Sequence, residues 1–447
     1  MLLDPSGQRN ADTWSFIRTQ EAVDDHTRQN NVVFCFRRGE QIRYFLCALR
    51  LQFTHKNKKV RKILYLNDGL LCSLFSTGHA AGYRAFARRH VALPLGIKSR
   101  LLLLLPLVMR AEHLFIAVEQ PDETTVRIRE NSALEGLDFL FYSNAPGKLL
   151  LTRSETFING TGLVYKTTSS PDYAVSLERE YEAVRSISKN IKHAGSVPDV
   201  RERLKTNNAC YYPETYLCGK DLRSKLRSAG HSASHFEAIH NLDLLNDWFF
   251  TYHASFNGVK KTICSLYAKM FYDFYALNKH SRELVQLGVA AEKMLAEMDT
   301  TGHEGLVPVL AHNDLWPGNF IVNNEQLTAI DWERATPDCA PVFDYFWMII
   351  SAVLEYRVGQ NGFQDYSAAF RQFLSLHDDV CRHARSKLST FLHFLGLGKE
   401  TLNCFMLLFL MEWSIQGFRA LGAPTAMDQL AQEELLAFVN SYYADGL

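Results

Sequence analysis

The alternation of apolar and polar positions divides the chain into a strand-rich front and a helical back. Phe139-Leu140-Phe141-Tyr142, Leu149-Leu150-Leu151-Thr152 and Leu163-Val164-Tyr165-Lys166-Thr167 read as three short strands separated by turns, followed by a helix over about 176–191. On the third strand, period-two alternation puts Lys166 beside Val164 on one face. In the helix, Leu177, Tyr181, Val184, Ile187 and Ile191 make an apolar stripe with Glu180 inside it, while Glu178 and Glu182 point elsewhere. An acid within an apolar stripe is costly unless paired, and an inward lysine needs the same compensation. Lys166 and Glu180 are therefore natural partners.

Ahead of these elements, 31–36 and 42–47 read as a β-hairpin, 55–62 as a basic loop, 63–66 and 113–118 as strands, and 79–89 and 97–109 as helical. Residues 1–135 thus form a mixed α/β region whose role the pattern does not disclose. The longest apolar run, 101–109, is far shorter than the ~20 residues that cross a bilayer. A buried helix is expected there rather than a segment resting on a membrane surface.

Behind them, 222–300 is helical, for example over 239–250 and 259–277. Its many aromatics read as core packing, with a wall for a cationic or sugar ligand as the rival reading. The stretch 346–445 is helical again, and 405–411 is apolar enough to be buried.

Between these helical regions lies Val309-Leu310-Ala311-His312-Asn313-Asp314-Leu315-Trp316-Pro317-Gly318-Asn319-Phe320-Ile321-Val322, followed by Leu327-Thr328-Ala329-Ile330-Asp331-Trp332-Glu333. It reads as a turn carrying His312, Asp314 and Asn319 between short apolar strands, with Asp331 closing the second strand. Pro317-Gly318 bends the loop, and a hairpin turn is expected at Asn323-Asn324. Such a set suits phosphoryl transfer, where catalysis is mostly positioning and charge neutralisation. Asp314 fits the base that accepts the proton of an attacking hydroxyl; Asp331 and Asn319 fit the ligands of Mg²⁺.

The spacing H-x-D-x-x-x-x-N, an apolar strand pair and then I-D-W-E resembles the catalytic segment of the aminoglycoside phosphotransferase and choline kinase superfamily, relatives of the protein kinases. Val-Tyr-Lys at 164–166 followed by Leu-Glu-Arg-Glu at 177–180 is similar to its lysine and glutamate motif. The resemblance implies an α+β, two-lobed protein-kinase-like fold, with a small antiparallel-sheet lobe and a large helical lobe behind an additional N-terminal α/β region. It divides the chain at about 1–135, 136–220 (small lobe and hinge) and 221–447. It further implies that Lys166, oriented by Glu180, meets the α- and β-phosphates of ATP, and that hinge backbone near Thr215 to Leu217 meets adenine. His312 is then structural, and Asp344, in Ala340-Pro341-Val342-Phe343-Asp344, braces the catalytic loop. The turn covering the phosphates is expected at 143–147 by strand order, with 159–162 as the alternative.

Composition bounds the rest. With 447 residues, 47% hydrophobic and 21% charged, the chain is an ordinary globular protein of two or three domains. Formal net charge is zero, which argues against nucleic acid as a partner, although residues 1–147 carry 20 Lys and Arg against 14 Asp and Glu. Nine scattered cysteines, none in a C-x-x-C pair, and an N-terminus without a basic start and apolar core point to a reduced, cytoplasmic setting with no zinc site.

The expectation is an ATP- and Mg²⁺-dependent kinase acting on a hydroxyl of a small molecule, with amino alcohols, aminoglycosides, sugars and hydroxy amino acids all open. The rivals are a pseudokinase that binds ATP or a partner, favoured by the poor glycine loop, and a metal hydrolase using His312, Asp314 and Asp331. The last lacks a further ligand at recognisable spacing.

Overall fold

The computed structural model describes residues 2–3, 32–37, 59–65, 71–74, 113–119, 139–142, 148–153, 156, 159, 161–168, 171–190, 196–205, 210–300, 304–361, 366–421, 431–435 and 437. The strand expected over 42–47, the helices over 79–89 and 97–109, and the turn over 143–147 lie outside these residues. The chain divides into two compact units, one of residues 1–185 and 198–219, the other of 186–197 and 220–447.

The first unit is built on a sheet. Its strands are β1 (Leu2–Leu3), β2 (Val32–Arg37), β3 (Lys59–Tyr65), β4 (Leu71–Leu74), β5 (His113–Glu119), β6 (Phe139–Tyr142), β7 (Lys148–Thr152), β8 (Leu163–Thr168), β9 (Leu204–Lys205) and β10 (Cys210–Thr215). They run in the order β1-β2-β5-β3-β4-β6-β7-β8-β10-β9 and pair antiparallel except for β1 with β2. Because β4 pairs with β6, strands on both sides of residue 135 belong to one sheet. Strand β3 starts at Lys59, so the expected basic loop over 55–62 ends in regular β structure.

Helix α1 (Pro171–Asn190) begins five residues earlier than the apolar stripe suggested. Proline at its first position has the φ a helix needs and no N–H to lose. The stripe is buried: Leu177, Tyr181 and Val184 lie inside, and Leu177 and Tyr181 pack with Tyr212 of β10.

The second unit is mainly helical: α2 (Leu222–His231), α3 (His235–Ala254), α4 (Ile263–Asn278), α5 (Arg282–Thr300), α6 (Val342–Asn361), α7 (Tyr366–Leu374), α8 (Asp379–Phe394) and α9 (Leu402–Leu421). The helix expected to start at 259 starts at 263. Lys261 exchanges two backbone hydrogen bonds with Leu306, and the Asp299 carboxylate takes the first N–H groups, those of Ile263 and Cys264. Trp248, Phe249, Tyr252, Tyr267, Phe271 and Phe274 are buried, and Trp248 stacks on Tyr252, so most of the aromatics of 222–300 are core. Residues 404–411 are buried too.

Set into this unit are two small sheets. Strand β11 (Lys220–Asp221) pairs with β13 (Phe320–Asn323), which pairs with β14 (Gln326–Ala329), and β12 (Val309–Ala311) pairs with β15 (Thr336–Cys339). The hairpin closes at Asn323 opposite Gln326, which moves the turn one residue past the expected pair, to Asn324 (φ 47°) and Glu325 (φ 66°). Two consecutive positive φ values are what a two-residue hairpin loop of matching twist requires.

Candidate functional site

In the first unit, the site is a set of buried charges. The register Leu150↔Lys166↔Tyr212 places Lys148, Lys166, Tyr212 and Glu214 on the face of β7, β8 and β10 that α1 covers. Lys166 is 7% exposed and its Nζ lies 2.5 Å from Glu180 Oε1, with Glu180 2% exposed. Two further partners join them. Glu214 Oε2 is 2.7 Å from the same Nζ, and Lys148 Nζ is 3.3 Å from Glu180 Oε2. Two acids and two lysines balance, which is what makes so many charges tolerable out of water. Burial pushes the Glu214 carboxyl above its usual range, Lys166 pulls it back, and the Glu180 charge adds to the rise.

Thr215 ends β10 opposite Leu163, and its N–H donates to the Asp199 carbonyl at 2.8 Å. The Tyr216 N–H donates to Gly162 at 2.9 Å. The amides of 215 and 216 are thus used inside the unit, and Leu217 follows directly after them. Gly162 has φ +147°, and a Cβ there would come within 2.5 Å of Thr156 Oγ1, so this turn admits no side chain at 162.

In the second unit, the site is the turn between β12 and β13. His312 and Asn313 donate their backbone N–H groups to the two carboxylate oxygens of Asp344, at 2.5 and 2.9 Å, and Asp344 is 1% exposed at the start of α6. The buried His312 ring donates through Nε2 to the Ile330 carbonyl at 2.9 Å and packs on Trp332. Asn313 sits at φ 60° and its side-chain amide donates to the Arg334 carbonyl. The backbone of 312–313 is thus tied to Asp344, and the two side chains tie the loop to the segment that carries Asp331.

Asn319 Nδ2 donates to the Asp314 carbonyl at 2.8 Å and approaches Asp314 Oδ2 at 3.4 Å. That orientation leaves Oδ1 of Asn319 as an acceptor. The Ile330 N–H donates to the Asn319 carbonyl, and Asp331 follows in the left-handed region (φ 68°, ψ 53°) before a 3₁₀ turn over Trp332–Arg334. Burial raises the Asp314 carboxyl to about 7, and the charges of Asp331 and Glu333 add to the rise. The Arg334 charge and the Asn319 hydrogen bond oppose it. Asp344 is also pushed up to about 7 by burial, against the two N–H groups that favour its charged form.

Sequence reasoning missed Lys148, Glu214 and Arg334. Lys148 could have been found, since period two puts it on the face of Leu150. Glu214 joins only through the register of β10 with β8, and Arg334 only through the turn after Asp331.

Residues 157–374 match the sequence model of the phosphotransferase enzyme family. The matched segment spans Lys166, Glu180, Glu214 and the loop of Asp314. No curated protein matches the sequence. Among solved structures, a thermostable mutant of the aminoglycoside phosphotransferase APH(4)-Ia in its apo form is similar at 14% identity and TM-score 0.39, over 66% of this chain and 90% of that one. The streptomycin–ATP–APH(2″)-IIa ternary complex is similar at 12% identity and TM-score 0.34, over 70% and 99%. The sheet unit followed along the chain by a mainly helical unit is the α+β class anticipated from the motifs.

Proposed function

We propose that this phosphotransferase transfers the γ-phosphate of ATP to a hydroxyl of a small molecule, in the cytoplasm, and that it needs Mg²⁺. The observation that carries this reading is the loop 312–319. There a half-buried Asp314 is held beside the Asn319 amide, on a turn that Asp344 braces and next to the charge of Asp331.

Asp314 accepts the proton of the attacking hydroxyl. A carboxyl raised to about 7 is well matched to that task, because a base near the working pH can both take and return a proton. Asn319 through Oδ1 and Asp331 through its carboxylate hold the metal. Two oxygen donors from the protein suit an ion that otherwise keeps water and phosphate oxygens. When bound, Mg²⁺ neutralises charge on the triphosphate. Lys166, fixed between Glu180 and Glu214, grips the phosphates, and the backbone near Thr215 and Leu217 receives the adenine. His312 and Asp344 hold the loop and touch no substrate. The division into 1–135, 136–220 and 221–447 is retained as a functional one, the first part being an addition to the kinase-like lobes.

A second reading, a pseudokinase, is favoured by one observation: Lys166 already has two carboxylate partners. Screening hydroxylated metabolites for ATP-dependent phosphate transfer, with a thermal-shift titration of ATP and Mg²⁺ alongside, separates the two. Transfer to any acceptor establishes the kinase. Stabilisation by ATP without transfer to any acceptor supports the pseudokinase.

A further inference from the structure

Beside the loop of Asp314, on the same unit, lies a cationic pair that the phosphotransfer reading does not use. Arg223 and Arg227 stand one turn apart on α2, so their side chains share a face. Both point at Glu355 of α6, which is 2% exposed. A single oxygen, Glu355 Oε2, accepts from Arg227 Nε at 2.6 Å and from Arg223 Nε at 3.3 Å, while Oε1 accepts from the Tyr366 hydroxyl at 2.8 Å. Arg227 Nη2 donates to that same hydroxyl at 3.1 Å.

The charges do not balance here as they do around Lys166. Two guanidiniums face one carboxylate, and among the described residues no second acid lies within ion-pair reach of either. Arginine cannot shed its proton to relieve the excess, so one positive charge must be met by solvent or by an anion. Their side chains remain 26% and 25% exposed, open enough to be met from outside.

What ties this charge to the reaction is Trp316. The Arg223 guanidinium lies 5.2 Å from the centre of the Trp316 ring, and the ring folds back on Gly318, where a Cβ would come within 2.3 Å of it. The Trp316 N–H donates to the Asp314 carbonyl at 3.0 Å. One residue, Leu315, separates the residue of the stacked ring from the base, so their Cα atoms are at most about 7 Å apart. That is the span of a small metabolite.

We propose that Arg223 and Arg227 form a subsite for a carboxylate or phosphate group of the acceptor, so that the enzyme phosphorylates hydroxylated acids rather than polycations. This inference rests on the phosphotransferase reading given above. Planar guanidiniums are suited to such groups because they present paired N–H donors to two oxygens.

The test uses the full chain with ATP and Mg²⁺, offering D-glycerate, glycerol 3-phosphate and L-homoserine against glycerol, choline and kanamycin. We expect transfer to at least one of the first three and none of comparable efficiency to the others. In R223Q the KM for that acceptor should rise at least tenfold, with less than a threefold fall in kcat and an unchanged KM for ATP; R223K should recover part of the loss. R227Q gives up the shorter bond to Glu355 and can destabilise α2, so R223Q decides. A preferred neutral or cationic acceptor overturns the inference, as does an unchanged acceptor KM in R223Q. A rise in the KM for ATP instead would assign the arginines to the nucleotide and overturn it too. If none of the six is phosphorylated, thermal shifts by D-glycerate and glycerol 3-phosphate decide it: loss of both shifts in R223Q supports the subsite, and no shift in the parent protein overturns it. The kinase reading fails separately, on absence of any stabilisation by ATP and Mg²⁺.

Discussion

Asp314 is the base in the proposed reaction, and its environment then sets a pH dependence. Burial and the neighbouring charges of Asp331 and Glu333 outweigh Arg334 and the Asn319 amide, leaving the carboxyl at about 7. A base must be deprotonated to act, so kcat/KM should climb through an apparent pKa near 7 and fall about tenfold per pH unit on the acid side. Measuring kcat/KM from pH 5 to 9 checks this; a profile flat down to pH 5 contradicts it. Folding reverses the sign. A carboxyl near 7 in the native protein and near ~4 when unfolded holds more protons folded, so its contribution to stability is greatest below pH 4 and is lost as pH rises through 7.

Lys166 belongs to the same scale. Removing Glu180 leaves two buried lysines facing Glu214 alone, and an uncompensated buried charge costs roughly 3–5 kcal/mol. Glu180→Ala should therefore lower the melting temperature markedly as well as ATP affinity, whereas Glu180→Gln, which keeps an acceptor, should lose affinity with a smaller thermal penalty. Equal melting temperatures for the parent and the alanine variant would show that the cluster is not buried as described.

At the scale of elements, the positions that periodicity can reach were legible and those that depend on partners were not. Period two on β8 and the 3.6 repeat on α1 were enough to pair Lys166 with Glu180, 14 residues apart. The same reasoning could not see that β10 would lay Glu214 opposite Val164, because register is decided by the turn and by packing of three strands together. The α4 start was misplaced for a related reason: the Lys261 and Leu306 bridge and the Asp299 cap are contacts across some 40 residues. The hairpin turn was displaced by one residue since sequence shows two asparagines while closure selects Asn324 and Glu325. Glu325 is the strained member at φ 66°, so Glu325→Gly should stabilise the protein by about 0.5–1 kcal/mol in chemical denaturation. A destabilisation would mean that the turn is of another kind.

The loop element makes its own prediction. Asp344 holds two consecutive amides of the turn, and its loss leaves both buried donors unsatisfied, each costing about 1–3 kcal/mol. Asp344→Asn can accept at one oxygen only, so it should reduce kcat at least tenfold while the KM for ATP moves little. An unchanged kcat would show that the brace is dispensable.

For the molecule as a whole, the segment 157–374 that matches the phosphotransferase family model carries Lys166, Glu180, Glu214 and the loop of Asp314, while the sheet that holds Lys166 continues through strands on the other side of residue 135. Strand pairing of β4 with β6 makes part of the N-terminal α/β region of 1–135 continuous with that sheet, something no local pattern reveals. Among the described residues no helix is long and apolar enough to cross a membrane.

The central claim is that Asp314 serves as the base of a phosphate transfer from ATP, and single-turnover transfer by Asp314→Asn tests it most directly. With the best acceptor at pH 8, the variant should bind ATP and Mg²⁺ as the parent does, by thermal shift, yet transfer phosphate at least a thousandfold more slowly. A variant that binds ATP and transfers at the parent's rate would contradict the account.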